Sequence, residues 1–274
     1  LKIPGMNTSK ETRKVLGIIG CGWLGSAVAQ YFIQYNWLVK GTRRSLEKMG
    51  GLETLGIKPF KFELGAATLS HDFTKNLDLL LISVPPQLRT GENDAFIDHM
   101  KSLSKDLLKV LPKNCQVIYT SSTGVYPNSG GPYSELSQWT ADTDRAQKLL
   151  AAEKIIATLP HKKTTIRLAG LVGADREPTR SLSGRTAISG GNKAANLIHQ
   201  QDAVKLIWFL SQVADPPTLV NGVFPQKIKK ADFYNNKALQ LNIPPPIFME
   251  AAQPIDRLIQ SKVFLGFTYD KALL

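Results

Sequence analysis

The chain has 274 residues, 43% hydrophobic and 20% charged, a composition that fits a folded domain with a core and excludes a fibrous or disordered chain. Its 34 Lys and Arg against 22 Asp and Glu leave a formal charge of +12, but the densest basic runs, Arg43-Arg44 and Lys227-Ile228-Lys229-Lys230, are short and carry no zinc-finger, RNP or basic-helix pattern, which argues against nucleic acid. Cys21 and Cys115 stand far apart, the four histidines show no metal-ligand spacing, and there is no signal-peptide core or run of about 18 apolar residues, so a cytoplasmic setting without metal or membrane is expected.

The natural start is expected at Met6, and the first element is the apolar run Val15 to Ile19. It leads straight into GCGWLG and a helical pattern from Leu24 to Tyr35. Strand, glycine turn and helix in this order are the fingerprint of a dinucleotide-binding loop. Gly20 permits the tight turn, Gly22 lets backbone approach a pyrophosphate, and Gly25 lets the helix pack on the strand, while the phosphates face the first helical N–H groups. Gly20, Gly22, Trp23, Leu24 and Gly25 are therefore the expected cofactor contacts; a turn serving packing alone is the alternative.

A second strand, Trp37 to Lys40, runs into GTRRS. An NAD site wants Asp or Glu here, to accept from the ribose hydroxyls. The chain offers Thr42, Arg43 and Arg44 instead, and guanidinium groups beside a hydroxyl suit a 2′-phosphate, so NADP(H) is expected over NAD(H).

Strands at Lys58 to Phe62, Leu77 to Val84, Gln116 to Thr120 and Thr164 to Leu168, with helices at Leu46 to Leu55, Asn93 to Val110 and Ala141 to Leu159, continue the alternation. This pattern specifies βαβ units and an α/β, Rossmann-type doubly wound parallel sheet. The segment LDLLLISVPP fits a strand buried on both faces and halted by Pro85-Pro86, with Val84 at its end as a further cofactor contact. After Arg167 the rhythm gives way to a stretch rich in Gly, Ser and Arg, and helices return at Asp202 to Val213 and Ala231 to Leu241. The expected organisation is a nucleotide-binding domain of residues 13–168 and 196–222 and a small C-terminal substrate lobe of residues 169–195 and 223–274.

The fifth strand runs into SSTGVYPNSGGPYSE, which puts small hydroxyl residues at the C-terminal end of a central strand, beside the crevice where open α/β sheets bind ligands. Ser121 is expected against the cofactor there. SSTGVY resembles the Ser-Ser-x-x-Val-Tyr segment of extended short-chain dehydrogenases/reductases, the NAD(P)-dependent sugar-nucleotide epimerase and dehydratase group. TTIRLAGLVGADR is similar to that family's sixth strand and Arg-Leu-x-x-x-Gly turn, and NLIHQQDAVKLI to its Asn-x-Ile-His-x-x-Asp-Ala segment. The resemblance implies that Ser122, with Thr123 beside it, polarises the substrate oxygen. It also implies a tyrosine four residues before a lysine to exchange the proton, the lysine lowering the tyrosine pKa.

None of the seven tyrosines has a lysine four residues on. Aligning the helix that ends in AAE with the family's Tyr-x-x-x-Lys-Leu-x-Ala-Glu places Arg145 at the tyrosine and Leu149 at the lysine. In this the chain resembles the atypical subgroup that keeps the cofactor loop and the SSTxVY segment but lacks the tyrosine. At 100° per residue Arg145 lies within about 40° of Leu149, on the face of Ala152 and Ile156, and is expected to point toward the crevice; a structural salt bridge or a plain N-terminal helix residue is the alternative. Arginine cannot act as a general acid or base near neutrality, but it can hold a carboxylate or phosphate or stabilise an oxyanion. The proton then has to come from Tyr126, Tyr133, Ser122, Glu135 or water, with Tyr126 favoured because it follows Ser122 by four residues. His199 and Asp202 read as structural.

The expectation is an NADP(H)-binding oxidoreductase or nucleoside-diphosphate-sugar epimerase/dehydratase-like enzyme with a degenerate active site, acting on a small polar substrate through Ser122, Tyr126 and Arg145. A non-catalytic NADP(H)-binding sensor is the alternative. The partners expected are a small-molecule substrate and a second copy of the chain in a homodimer, not nucleic acid or membrane.

Overall fold

The computed structural model describes residues 13–66, 68–85, 95–173, 175–249, 254–262, 266–271 and 273. In chain order its elements are β1 (Val15–Ile19), α1 (Trp23–Gln34), β2 (Leu38–Arg43), α2 (Gly50–Glu53), β3 (Lys58–Lys61), α3 (His71–Thr74), β4 (Leu79–Ile82), α4 (Phe96–Val110), β5 (Gln116–Ser122), α5 (Asp144–Ala157), β6 (Lys163–Leu168), β7 (Gly170–Val172), α6 (Pro178–Leu182), β8 (Leu197–His199), α7 (Gln200–Gln212), β9 (Leu219–Gly222) and α8 (Lys230–Gln240). Seven strands form one sheet in the order β3-β2-β1-β4-β5-β6-β9, every neighbouring pair parallel. This is the Rossmann-type doubly wound arrangement, and the strand order reverses between β1 and β4, where such sheets open a ligand crevice at their C-terminal ends.

Strand alternation divides the core into two layers. Leu16 and Ile18 of β1 and Leu79 and Leu81 of β4 pack with Val28 and Phe32 of α1 and Leu206 and Leu210 of α7. Their neighbours Val15, Ile19, Leu80 and Ile82 face the other way, onto Phe96, Met100 and Leu107 of α4 and Ala152 and Ile156 of α5. A strand between two helical layers has no polar face, which is why LDLLLIS reads as a continuous apolar run.

Several boundaries differ from the sequence reading for physical reasons. The helix expected over Leu46 to Leu55 is a 3-10 turn, Leu46–Lys48, followed by the four residues of α2; Gly50 and Gly51 disfavour a longer helix, and Gly56 adopts φ 75° just beyond it. Strand β2 runs on to Arg43 because Gly41 leaves room for close packing: a Cβ there would sit 2.9 Å from Ile57 and 3.0 Å from the Cys21 sulfur. Helix α5 starts at Asp144, not Ala141, since the Thr143 hydroxyl caps it by accepting from the Ala146 N–H at 3.1 Å. Residues 93 and 94 of the expected fourth helix, and Pro86, lie outside the described residues.

Beyond β6 the short strands β7 and β8 pair in parallel, and Val172, Leu197 and Phe233 of α8 form a third apolar cluster. The β7–β8 pair straddles the boundary drawn at residue 196. Among the described residues, no helix is long and apolar enough to cross a membrane.

Candidate active site

The glycine loop joins β1 to α1 at the crevice. Gly20 has φ 88°, and a Cβ on it would fall 2.5 Å from the Ser83 carbonyl oxygen, so this turn requires glycine. Gly25 is held for a different reason: a Cβ there would meet the Gly20 oxygen at 2.8 Å. Gly22 faces open space, its nearest such neighbour lying at 4.0 Å, and it caps α1 without any side-chain hydrogen bond. An uncapped helix N-terminus behind a bare Cα is the cradle that a phosphate group needs.

Thr42 shapes this loop from beneath. It is buried, its hydroxyl oxygen accepts from the Gly20 N–H at 3.0 Å, and its carbonyl accepts from the Cys21 N–H at 3.1 Å. Its side chain therefore does not face a cofactor as expected; it fixes the turn that does. Leu24 likewise packs into the core, leaving only its backbone at the helix start. Arg44 is exposed, whereas Arg43 reaches back to Ser26 Oγ at 3.5 Å. The buried Nε–H of Arg43 has no hydrogen-bond partner among the described residues.

Gly22, Ser26, Arg43, Asp175 and Gln200 line a cavity of about 310 Å³. A half-buried guanidinium whose Nε–H has no partner among the described residues, beside a bare glycine and an uncapped helix, fits the phosphates of a dinucleotide. Sequence reasoning missed Ser26, Asp175 and Gln200. Ser26 could have been found, since it lies one helical turn beyond Gly22; Asp175 and Gln200 arrive from distant segments and leave no local signal. A second cavity of about 250 Å³, between Gly65 and His99 of α4, is lined by none of the sequence-predicted residues.

The side chain of Trp23 is half-buried against the core and reaches the segment after β7. Its indole N–H donates to Asp175 Oδ1 at 2.8 Å, its ring packs on Gly173 and lies 5.2 Å from the Arg176 guanidinium, and its carbonyl accepts from Gln200 Nε2 at 3.0 Å. The cofactor loop is thus tied directly to chain segments that follow the sixth strand.

At the end of β5, Ser122 caps a 3-10 turn, Thr123–Val125, by accepting from the Gly124 N–H at 3.0 Å. That leaves the serine's own proton to donate. A Cβ on Gly124 would lie 3.2 Å from Ser122 Oγ, 3.6 Å from Leu149 Cδ1 and 3.7 Å from Arg145 Nη2. Ser122 and Arg145 therefore flank the same bare Cα, and Val84 stands over the glycine loop, its Cγ1 3.1 Å from a Cβ built on Gly20.

Two expectations are corrected here. Tyr126 does not face the crevice: it is 1% exposed, its hydroxyl donates to Asn221 Oδ1 at 2.9 Å and accepts from Arg167 Nη1 at 3.0 Å, and burial pushes its pKa up. Ser121 is also turned inward, donating to Glu153 Oε1 at 2.6 Å. The alternating pleat of β5 sends Ser121 and Ser122 to opposite sides, so one faces the helical layer when the other faces the crevice.

Glu135 and Tyr133 are engaged as well. Glu135 accepts from the Asn221 and Lys262 N–H groups and the Ser261 hydroxyl at 2.7 to 2.9 Å, and the Tyr133 hydroxyl donates to the Ser129 carbonyl at 2.7 Å. His199 caps α7 through Gln201, and Asp202 accepts from the Asp270 and Lys271 N–H groups. Arg257, unnoticed in the sequence, clamps the turn after β5 by donating to the carbonyls of Pro127 at 2.8 Å and Thr123 at 3.2 Å. Burial holds its pKa down against the opposing charges of Asp142 and Asp256.

A search against protein-family models found no match. The chain is 29% identical over 241 residues to the Escherichia coli (strain K12) protein YeeZ, covering 86% of each. Among solved structures it is similar to MoeE5 in complex with UDP-glucuronic acid and NAD, with TM-score 0.74 and 18% identity over 95% of both chains. It is also similar to UDP-glucuronic acid 4-epimerase from Bacillus cereus in complex with NAD, with TM-score 0.75 and 12% identity over 94% of this chain and 92% of that one. The chain thus shares the Rossmann-type fold of NAD-binding epimerase and dehydratase structures.

Proposed function

We propose that this chain is an NADP(H)-binding oxidoreductase or nucleotide-sugar epimerase/dehydratase-like enzyme acting on a small polar substrate. The observation that carries the reading is the union, at one end of one sheet, of an open phosphate cradle at Gly22 and Arg43 with the Ser122–Gly124–Arg145 surface. The presence of NAD in MoeE5 and in the Bacillus cereus epimerase supports a nicotinamide dinucleotide. The preference for NADP(H) rests on Arg43, whose guanidinium lines the cavity beside Ser26 and suits a 2′-phosphate.

A bound nicotinamide would supply or accept a hydride. The chain's own part is to hold the substrate: Ser122 donates to the reacting oxygen, and Arg145 stabilises negative charge there without exchanging a proton. With Tyr126, Tyr133 and Glu135 engaged elsewhere, Ser122 or water remains as the proton source.

The burial of Tyr126 favours a second reading, a non-catalytic NADP(H)-binding sensor. Turnover with NADPH or NADH against sugar nucleotides, aldehydes and keto acids separates the two: activity lost in Ser122→Ala supports the enzyme. Cofactor binding without turnover of any member of the panel supports the sensor.

A further inference from the structure

The cavity beside the glycine loop holds a carboxylate as well as a cation. Asp175 lines it together with Gly22, Ser26 and Arg43, and its Oδ1 accepts from the Trp23 indole N–H at 2.8 Å. Three contacts fix Trp23 in turn. A Cβ on Gly173 would lie 3.0 Å from Trp23 Cζ2, the Arg176 guanidinium lies 5.2 Å from the ring, and Gln200 Nε2 donates to the Trp23 carbonyl at 3.0 Å. Gly173 and Arg176 also close the turn that carries Asp175, since the N–H of each donates to the carbonyl of the other, at 3.1 and 3.0 Å. The carboxylate is thus held at the cavity by its own backbone turn and by the first residue of α1.

Its charge is not neutralised there. Among the described residues neither Arg43 nor Arg176 forms an ion pair with Asp175, and the indole N–H that it meets is a neutral donor. Yet the other features of this cavity favour an anion: the open Cα of Gly22, the uncapped start of α1 and the Arg43 Nε–H without a partner. A phosphate that enters meets a charge of its own sign. Because Asp175 is exposed, that repulsion is of the kind that salt screens.

We propose that the Asp175 carboxylate is an autoinhibitory contact: pinned by Trp23, it keeps a negative charge in the phosphate cavity and lowers the affinity for dinucleotide, whose arrival displaces it from the indole. This rests on the cofactor reading above and extends it, because it assigns the setting of cofactor affinity to the turn after β7.

The test compares the full chain with Asp175→Asn, which keeps an oxygen for the Trp23 N–H but removes the charge. NADPH is titrated by calorimetry at low and at high salt, and the Trp23 indole N–H, assigned with Trp23→Phe, is followed in proton–nitrogen correlation spectra. Asp175→Asn is expected to bind NADPH roughly three- to tenfold more tightly than the parent at low salt, with the gain shrinking at high salt. In the parent, NADPH is expected to move the indole resonance upfield, as loss of a hydrogen bond to a carboxylate does. The proposal is overturned if Asp175→Asn binds equally or more weakly, weaker binding marking Asp175 as an acceptor for a cofactor hydroxyl. It is also overturned if the indole resonance stays in place or moves downfield. Binding of NADPH by neither protein would count against the cofactor reading instead, and titration of sodium pyrophosphate then decides: tighter binding by Asp175→Asn supports the proposal, and equal binding or none overturns it.

Discussion

Arg167 and Glu153 form a buried, two-pronged ion pair behind the end of β5: Arg167 Nη2 lies 2.8 Å from Glu153 Oε2 and Nε lies 3.1 Å from Oε1. Both side chains are at most 10% exposed. Burial works against the Arg167 charge, yet the hydrogen bonds and charge of Glu153 leave its pKa raised. The pair also receives Ser121 and supports Tyr126, so it fixes the strand end that presents Ser122. Removing one partner strands the other charge in the core, and Glu153→Ala is expected to lower unfolding stability by about 3–5 kcal/mol. Urea unfolding measures this; a loss below about 1 kcal/mol would show that the pair is not holding the strand end.

Tyr126→Phe separates a structural from a catalytic tyrosine. The variant is expected to lose about 1–3 kcal/mol of stability, because Asn221 and Arg167 lose a buried partner. The pH profile of any turnover is expected to stay unchanged. A profile that loses its basic limb would return Tyr126 to the reaction.

The glycines divide by role. Gly20→Ala meets both a left-handed backbone and the Ser83 carbonyl, and is expected to lower stability by about 1–3 kcal/mol or more. Gly22 has φ −87° and open space around it, so Gly22→Ala is expected to fold with its melting temperature preserved while dinucleotide binding weakens. Equal loss of stability in both variants would mean that Gly22 is there for packing.

His199 links stability to pH. Its Nδ1 accepts from the Gln201 N–H at 3.2 Å, which needs the neutral ring, and burial lowers its pKa from 6.5. A folded-state pKa below the unfolded one gives stability that is present above pH about 6.5 and is lost as pH falls through the folded value. Urea midpoints are expected to drop over that interval, and His199→Asn, which keeps an N-cap oxygen, to flatten the drop. An unchanged slope would assign the pH dependence elsewhere.

Much of this architecture is legible in the sequence because its signals are local. The β1–GCGWLG–α1 unit and the apolar run of β4 follow from glycine spacing and hydrophobic pattern, and helical spacing puts Arg145 with Leu149 against Gly124. The edge strand β9 escaped notice because its four residues follow Pro216-Pro217 and end in Asn221-Gly222, which read as a break. Pairings across many residues left no trace either: Trp23 with Asp175, Thr123 with Arg257 and Tyr126 with Asn221 arise only when the sheet is assembled. Tyr126 shows the consequence, since proximity in sequence to Ser122 says nothing about which side of the turn its ring takes.

Titration of NADPH and NADH into the parent chain and Arg43→Ala, followed by calorimetry, measures dinucleotide binding and the part of Arg43 in it. One saturable site that prefers NADPH is expected in the parent, with a loss of roughly ten- to hundredfold in NADPH affinity in Arg43→Ala and NADH little changed. No binding of either dinucleotide, or equal binding of NADPH by both proteins, would contradict it.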